Sequence, residues 1–227
     1  MKLSIILPAR NEEKLIKSAV VDILTQLKKK KYSSEILIII NGCTDNTEKI
    51  VDKLSNKFKE VRKLKSRTGY GYALRKGIQK ARGNFVIFFN VDFYDLKIID
   101  LVDIDLYGKD LIVGSKRTPW AEDLRPLQRR VVSTLFNFYL KVIHGFRGSD
   151  THGIKIMKGK VIDKVFPKCK TTNNIFDTEF IIMAQRCDFK IADFPVRVEE
   201  KRTPRFGSRL LKTPFDIFEL YRTLRRK

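Results

Sequence analysis

The stretch NFVIFFNVDF at residues 84–93 constrains the fold of this chain more than any other. Five consecutive apolar residues, 85–89, follow Gly83 and break abruptly into Asn90-Val91-Asp92. A short, uninterrupted apolar run of this kind predicts a strand buried on both faces, at the centre of a parallel sheet. A carboxylate at the exit of such a strand lies at the carboxyl edge of the sheet, where open α/β folds bind their ligands. A bare carboxylate there is costly, so Asp92 is expected either to meet a cation, such as a hard metal bridging phosphates, or to cap the next segment.

The neighbouring segments fit the same plan. Residues 3–7 predict a buried strand stopped by Pro8, and Asn11 stands where it can cap the following helix. That helix has one apolar face, made by Leu15, Ile16, Ala19, Val20, Ile23, Leu24 and Leu27, and a solvated lysine end at 28–31 that suits its dipole. Residues 36–40 predict a second buried strand, then the turn Asn41-Gly42, with Thr44 or Asp45 as cap for a helix over 48–54. A weaker strand over 61–64 precedes GYGYALRKGI. Strand and helix alternating in this way predict βαβ units and a largely parallel sheet. Gly69 and Gly71 are followed by Leu74 where a dinucleotide fingerprint needs a third glycine, and no Gly-Lys-Ser/Thr follows, so neither that fingerprint nor a P-loop is present. The two glycines suit either a backbone approach to a phosphate or base, or a tight turn packed on the sheet.

Composition narrows the partners. The 227 residues are 43% hydrophobic, enough for one large globular domain. A net charge of +21 calls for an anionic partner: nucleic acid, a membrane surface or a phosphorylated substrate. With no RNP, KH or helix-turn-helix signature, nucleic acid is not expected. Cys43, Cys169 and Cys187 are scattered without zinc spacing, which fits a reducing compartment. No signal peptide is visible, and the apolar runs fall short of the ~18 residues that span a bilayer. Residues 125–147 hold an apolar stretch flanked by Arg125, Arg129, Arg130, Lys141 and Arg147, suited to a membrane interface or to a core helix with basic ends. The stronger interfacial candidate is the C-terminal helix, with Thr213 as cap and Pro214 at its first position. Phe215, Phe218, Leu220 or Tyr221, and Leu224 give it an apolar side, and Arg222, Arg225, Arg226 and Lys227 supply snorkelling charge. Packing on the sheet is its alternative.

Four motifs occur in a distinctive order: PARNEE after the first strand, NGCTDNT after the second, GYGYALRKG before a helix and NVD after the central strand. They are followed by GSKR at 114–117, by Arg129, Ser133 and Asn137 at spacings of four, and by SDTHGIK at 149–155. FDTEF at 176–180, Pro195-Val196, Arg202 and GSRLL at 207–211 complete the set. On these residues the chain resembles the family 2 glycosyltransferases of the GT-A fold, in particular the polyprenyl-phosphate sugar synthases such as dolichol-phosphate mannose synthase. The resemblance covers nearly the whole chain.

The resemblance implies a single α/β domain, with a Rossmann-like, mostly parallel central sheet flanked by helices and no transmembrane domain. A nucleotide-sugar half would occupy about 1–113 and an acceptor, membrane-facing half about 114–227. It implies inverting transfer of a hexose from a GDP- or UDP-sugar to a polyprenyl (dolichyl) phosphate, as in dolichyl-phosphate mannosyl- or glucosyltransferases. The enzyme would be cytoplasmic and peripheral, touching the anionic cytoplasmic face of the membrane. A soluble glycan or protein acceptor, or a non-catalytic nucleotide-sugar-binding relative, is the alternative. By the same resemblance Pro8, Arg10, Asn11, Glu12, Asn41 and Asp45 line the nucleotide pocket with Gly71, Ala73, Asn90 and Val91, and Gly77 permits close packing. Asp92 would hold Mg²⁺ or Mn²⁺ on the diphosphate. Lys116, Arg117, Arg129, Ser133 and Arg202 would hold the acceptor phosphate, with the four cations and Asp92 as the catalytic set. The chain departs from the family pattern at Asn41 and Asn90, where aspartates are usual, and at Lys116, where arginine is usual. A phosphate monoester is largely a dianion at neutral pH (second pKa about 6), so such an acceptor attacks without a strong base. His144 and His152 are expected to be structural, and Glu179 to be either acceptor-side or structural.

Overall fold

Strand and helix alternate through the first half of the chain: β1 (Lys2–Ala9), α1 (Ile16–Lys28), β2 (Ser33–Ile40), α2 (Thr47–Lys57), β3 (Val61–Lys65), α3 (Tyr70–Lys80), β4 (Phe85–Phe88), the short α4 (Lys97–Asp100) and β5 (Leu111–Ser115). The second half adds β6 (Glu122–Asp123), α5 (Leu127–His144), β7 (Lys155–Lys158), α6 (Gly159–Val165), α7 (Phe176–Arg186), β8 (Ile191–Pro195), β9 (Arg197–Val198) and α8 (Thr213–Arg225). The computed structural model describes residues 2–30, 33–199 and 213–225.

Seven strands form one sheet in the order β3-β2-β1-β4-β7-β5-β8, and β6 pairs with β9 in a two-stranded ribbon. The pairs β3-β2, β2-β1, β1-β4 and β5-β8 are parallel, whereas β7 runs against both β4 and β5. The expected mostly parallel α/β sheet is therefore present. β4 is its central strand, and all four of its residues are buried.

Both sheet faces are covered, which is why β1, β2 and β4 read as unbroken apolar runs. On β1, Leu3, Ile5 and Leu7 join Val20 and Ile23 of α1 and Val51 of α2 on one face, whereas Ile6 meets Leu74 and Ile78 of α3 on the other. Phe88 of β4 shares the second face with Phe176 and Phe180 of α7, their rings 6.0 to 6.2 Å apart. Gly77 lies where α3 crosses β1: a Cβ there would stand 2.5 Å from Ile6 Cγ2.

Several local expectations change. Pro8 does not stop β1, which runs on to Ala9 and pairs Pro8 with Ile39 of β2. Ile6 O accepts from Phe89 N on the β4 side and Ala9 O accepts from Asn41 N on the β2 side. By alternation Pro8 turns its nitrogen toward β4, beyond the last pairing of β4 with β1 at Ile6, so no ladder bond is lost. Asn11 does not cap α1; the helix starts at Ile16 with no side-chain cap. Lys30 is no solvated helix end either, since its Nζ lies 2.7 Å from Asp100 Oδ1 and 2.5 Å from Asp103 Oδ2. Helix α2 is longer than expected, running from Thr47 to Lys57.

Glu35, at the start of β2, is a buried carboxylate that fastens the opposite end of the sheet. It accepts from Ser4 Oγ (2.7 Å), Arg62 Nη1 (2.6 Å) and Arg82 N (2.9 Å). Burial alone would raise its pKa, but these donors outweigh burial and hold it below the usual 4.5. A depressed carboxylate contributes stability that is present above the unfolded value and lost as pH falls through the folded one. Glu35→Gln is therefore expected to cost about 1–3 kcal/mol near neutrality. The loss relative to wild type should shrink as pH drops below 4.5, as read by denaturant unfolding across a pH series.

Candidate active site

The loops that carry the motifs converge on the carboxyl edge of the sheet. The segments after β1 and β2 are stitched together by their own polar side chains. Asn11, held at φ 57°, accepts from Thr44 N (2.8 Å) through Oδ1 and donates from Nδ2 to Thr44 Oγ1 (3.1 Å). Asp45 accepts from Glu13 N (3.1 Å) and, in a turn just ahead of α2, from Thr47 N (3.0 Å); neither Thr44 nor Asp45 is the N-cap, which is Asn46. Burial works against the Asp45 carboxylate, but the Thr47 and Glu13 donors prevail and keep its pKa low. Glu12 N donates to Thr47 Oγ1 (2.7 Å), and Asn41 Nδ2 reaches Ala9 O (3.4 Å). Glu12 and Asn41 are buried and Arg10 is exposed. Pro8 to Glu12 and Asn41 to Asp45 thus form one rigid wall.

Residues 90–93 close a tight turn in which Asn90 N donates to Phe93 O (3.1 Å) and Phe93 N donates to Asn90 O (3.2 Å). Val91 is buried beneath it, and Asp92 is partly buried on it. Among the described residues no group of three or more His, Cys, Asp or Glu side chains comes together to hold a metal. Asp92, with the Asn90 amide two residues away, is one carboxylate rather than a cluster, and does not suit an ion held by protein alone. It suits an ion whose other ligands are diphosphate oxygens and water, the habit of magnesium.

Strand β7 brings a second set of residues to this edge. Because β7 is antiparallel, its first residue Lys155 lies opposite Phe88 and Val113, near the ends of β4 and β5. The preceding loop, 149–154, is thereby carried across the edge. Gly153 in this loop is held at φ 116°, a conformation that favours glycine, and lies beside Phe93, whose Cε1 an added Cβ would meet at ordinary contact distance, 3.5 Å. Lys155 and Asp177 of α7 are an ion pair, Nζ to Oδ1 2.9 Å, at 0% and 1% exposure. They are close without hydrogen-bond alignment at Oδ1; Lys155 Nζ donates instead to Gly153 O (2.9 Å). Asp177 Oδ2 accepts from Tyr70 Oη (3.1 Å), the first residue of α3. Burial first, then the charges of Asp177 and Asp92, hold the Tyr70 phenol well above its usual pKa, so it stays a neutral donor.

Of the acceptor-side residues, Lys116 is ion-paired with Asp150 and nearly buried. Burial lowers the lysine, while the lysine charge overcomes burial and keeps Asp150 ionised. Arg117 donates from Nη1 to Thr134 Oγ1 of α5 (3.2 Å). Arg129, Ser133 and Asn137 share the side of α5 turned toward the loop: Asn137 Nδ2 donates to Ser149 O (2.7 Å), and Ser133 Oγ lies 3.5 Å from Arg125 Nη2. Arg202 falls outside the described residues, as do 207–211.

The glycine segment takes the packing alternative. An added Cβ on Gly71 would stand 2.4 Å from Thr172 C, and Tyr72 N donates to Thr172 O (3.1 Å). Ala73 is fully buried in the core beneath it. Glu179 is structural: it accepts from Lys170 N, Thr171 N and Thr171 Oγ1 at 2.6 to 2.8 Å. His144 stacks edge-on to Tyr139 (5.4 Å), and His152 lies beside Asp150 with its imidazole pushed down by burial. Asp150, Lys155, Asp177 and Tyr70 were missed as members of the site. A signal for Lys155 was there: a lysine amid Ile154, Ile156 and Met157 has to find a carboxylate when the run is buried.

The sequence model described as Glycosyl transferase family 2 matches residues 4–162. The chain belongs to that family. Among curated proteins, this family 2 chain is 28% identical to Glycosyltransferase AglD of Haloferax volcanii, over 100% of the chain and 39% of AglD. It is 31% identical to a dolichyl-phosphate beta-glucosyltransferase of Saccharomyces cerevisiae, over 87% of the chain and 67% of the yeast protein. The family 2 chain therefore spans about two fifths to two thirds of these relatives. A solved structure of glucosyl-3-phosphoglycerate synthase from Mycobacterium tuberculosis, with Mn²⁺, UDP-glucose and phosphoglyceric acid, superposes with a TM-score of 0.72. It shares 18% identity, and the match covers 98% of this chain and 79% of the synthase. That likeness establishes the GT-A fold.

The Lys116–Asp150 pair yields a direct test. Lys116→Ala leaves a buried carboxylate without its cation and is expected to cost about 3–5 kcal/mol in denaturant unfolding. The double variant Lys116→Met/Asp150→Leu should cost less than the sum of its single variants, because no charge is then stranded.

Proposed function

We propose that this family 2 protein transfers a hexose, glucose in the first instance, from a UDP- or GDP-sugar to a polyprenyl (dolichyl) phosphate, with inversion. The observation that carries this reading is the state of the carboxylates at the sheet edge. Asp45 is held by backbone amides, Asp150 by Lys116, and Asp177 by Lys155 and Tyr70. None of these three is poised to take a proton, whereas a phosphate monoester arrives already ionised. The relatives named as dolichyl-phosphate beta-glucosyltransferases support the same acceptor and favour glucose.

In this reading the donor half comprises about 1–113 and the acceptor half about 114–227. The wall of residues 8–12 and 41–45 receives the nucleotide, and Asn41 offers its base or ribose a neutral contact. Asp92, assisted by Asn90, would hold Mg²⁺ or Mn²⁺, and that ion would supply neutralisation of the charge on a departing nucleoside diphosphate. Arg117 and Arg129 are the cations for the acceptor phosphate, since Lys116 is committed to Asp150. An acceptor phosphate oxygen forms the new bond to the anomeric carbon. The bond from that carbon to the donor diphosphate breaks, and its electron pair leaves with the nucleoside diphosphate. In this reading the protein works peripherally on the anionic cytoplasmic face of the membrane.

The test is a donor screen, UDP-glucose, GDP-mannose and related sugars against a polyprenyl phosphate, with and without divalent metal. Asp92→Ala is expected to abolish transfer with the melting temperature unchanged, and Asn90→Asp to lower the metal concentration needed. Transfer that persists in excess chelator would remove the metal, and full activity of Asp92→Ala would remove the role of that carboxylate.

A further inference from the structure

Helix α5 presents an apolar stripe to solvent. Leu127, Val131, Leu135, Phe138 and Val142 recur at spacings of four and three, which places them within ~80° of one another at ~100° per residue. Their exposures run from 48% at Val131 to 70% at Leu127, and the helix buries only Asn137 and Leu140. A soluble surface rarely leaves so many large apolar side chains in one contiguous row. Helix α8 extends the row. Tyr139 Oη lies 3.5 Å from Ile217 O and the His144 and Tyr221 rings are 6.3 Å apart, so the two helices are neighbours. Phe215 and Phe218 of α8 are 70% and 62% exposed, while its Leu220 and Leu224 are buried in the core.

Charge identifies what covers this face. Helix α5 carries no acidic residue, and Arg130 and Lys141 stand beside the stripe, while Arg125 before the helix is taken up by Asp123. The acids of α8, Asp216 and Glu219, are turned inward onto Asn173 Nδ2 (3.1 and 2.8 Å). An apolar row bordered by cations and cleared of anions is complementary to an anionic bilayer, whose headgroups meet the cations and whose acyl boundary meets the row.

We infer that the exposed side of α5, continued by Phe215 and Phe218, is the surface by which this protein lies in an anionic lipid interface. The inference deepens the reading of a lipid-phosphate acceptor and rests on it for its purpose, though not for its test. Arg129, Ser133 and Asn137 line the opposite side of the same helix, so docking sets the candidate phosphate site one helix diameter, ~10 Å, above the apolar boundary. That is headgroup height. The sequence makes α8 the stronger interfacial element; the inference assigns the larger part to α5, because α8 spends Leu220 and Leu224 on the core.

Trp120, the only tryptophan in the chain, is 94% exposed seven residues before α5 and reports on docking. The full chain, without donor or acceptor, is mixed with phosphatidylglycerol–phosphatidylcholine vesicles and with phosphatidylcholine vesicles. The expected result is co-sedimentation with the anionic vesicles, a blue shift of Trp120 emission and quenching by brominated lipid. Salt should weaken the binding without abolishing it, because apolar burial is not screened. Leu135→Asp/Phe138→Asp should lower vesicle affinity roughly tenfold or more with the melting temperature and nucleotide binding intact. Phe218→Ser should lower it less. Absence of vesicle binding, or binding indifferent to the α5 substitutions, overturns the inference. So does a concentration-dependent dimer that the same double variant dissolves, which would assign the row to a second copy. Vesicle binding without transfer to any polyprenyl phosphate leaves docking standing and removes only the acceptor reading. Transfer to a short-chain, water-soluble polyprenyl phosphate without vesicle binding does the reverse.

Discussion

The ion pair between Lys155 and Asp177 holds together everything that meets at the sheet edge. Both residues are essentially excluded from water, so each would be prohibitive alone, and together they cost more desolvation than a pair of apolar residues of similar volume. What they supply is position. Lys155 fixes the start of β7 opposite β4 and β5 and anchors the carbonyl of Gly153, Asp177 belongs to α7, and Tyr70 ties in the start of α3. One charge pair thus sets the register of the antiparallel strand, the course of the loop 149–154 and the placement of the phenol beside Asp92.

Around that pair the edge divides into two chemistries. On the β1–β2 side, neutral and anionic side chains are consumed in stitching two loops into a wall, which leaves shape and backbone groups to face a ligand. On the β5–β7 side, cations gather, and the two withdrawn from water, Lys116 and Lys155, already have their anions. The turn 90–93 lies between the two.

Helix α5 has two unlike faces. Its inward side supplies Asn137 to the loop 149–154, Thr134 at the edge of the exposed row reaches Arg117, and Leu127, Val131, Leu135, Phe138 and Val142 are left in solvent. In the proposed docking that asymmetry would give the strongly basic composition a use: positive charge bordering an apolar row would meet an anionic surface, whereas positive charge spread evenly would only repel itself.

The chain by itself determined the layered α/β sheet, since unbroken apolar runs such as residues 85–89 fit only a strand covered on both sides, and the helices between them carry one apolar face each. It also determined that Asp92 leaves the central strand at the ligand edge, and the order of its motifs pointed to the family. Tertiary structure alone decided the rest, because the deciding contacts lie far apart in sequence. Whether Gly71 cradles a phosphate or packs against Thr172 depends on a segment 101 residues away (172 − 71), and whether Lys116 is available depends on Asp150. Amphipathic spacing states that α5 and α8 each have an apolar side, but not which way that side points. The direction is set by which side chains the core has room to bury, and it buried Leu220 and Leu224 while leaving Leu135 and Phe138 in solvent.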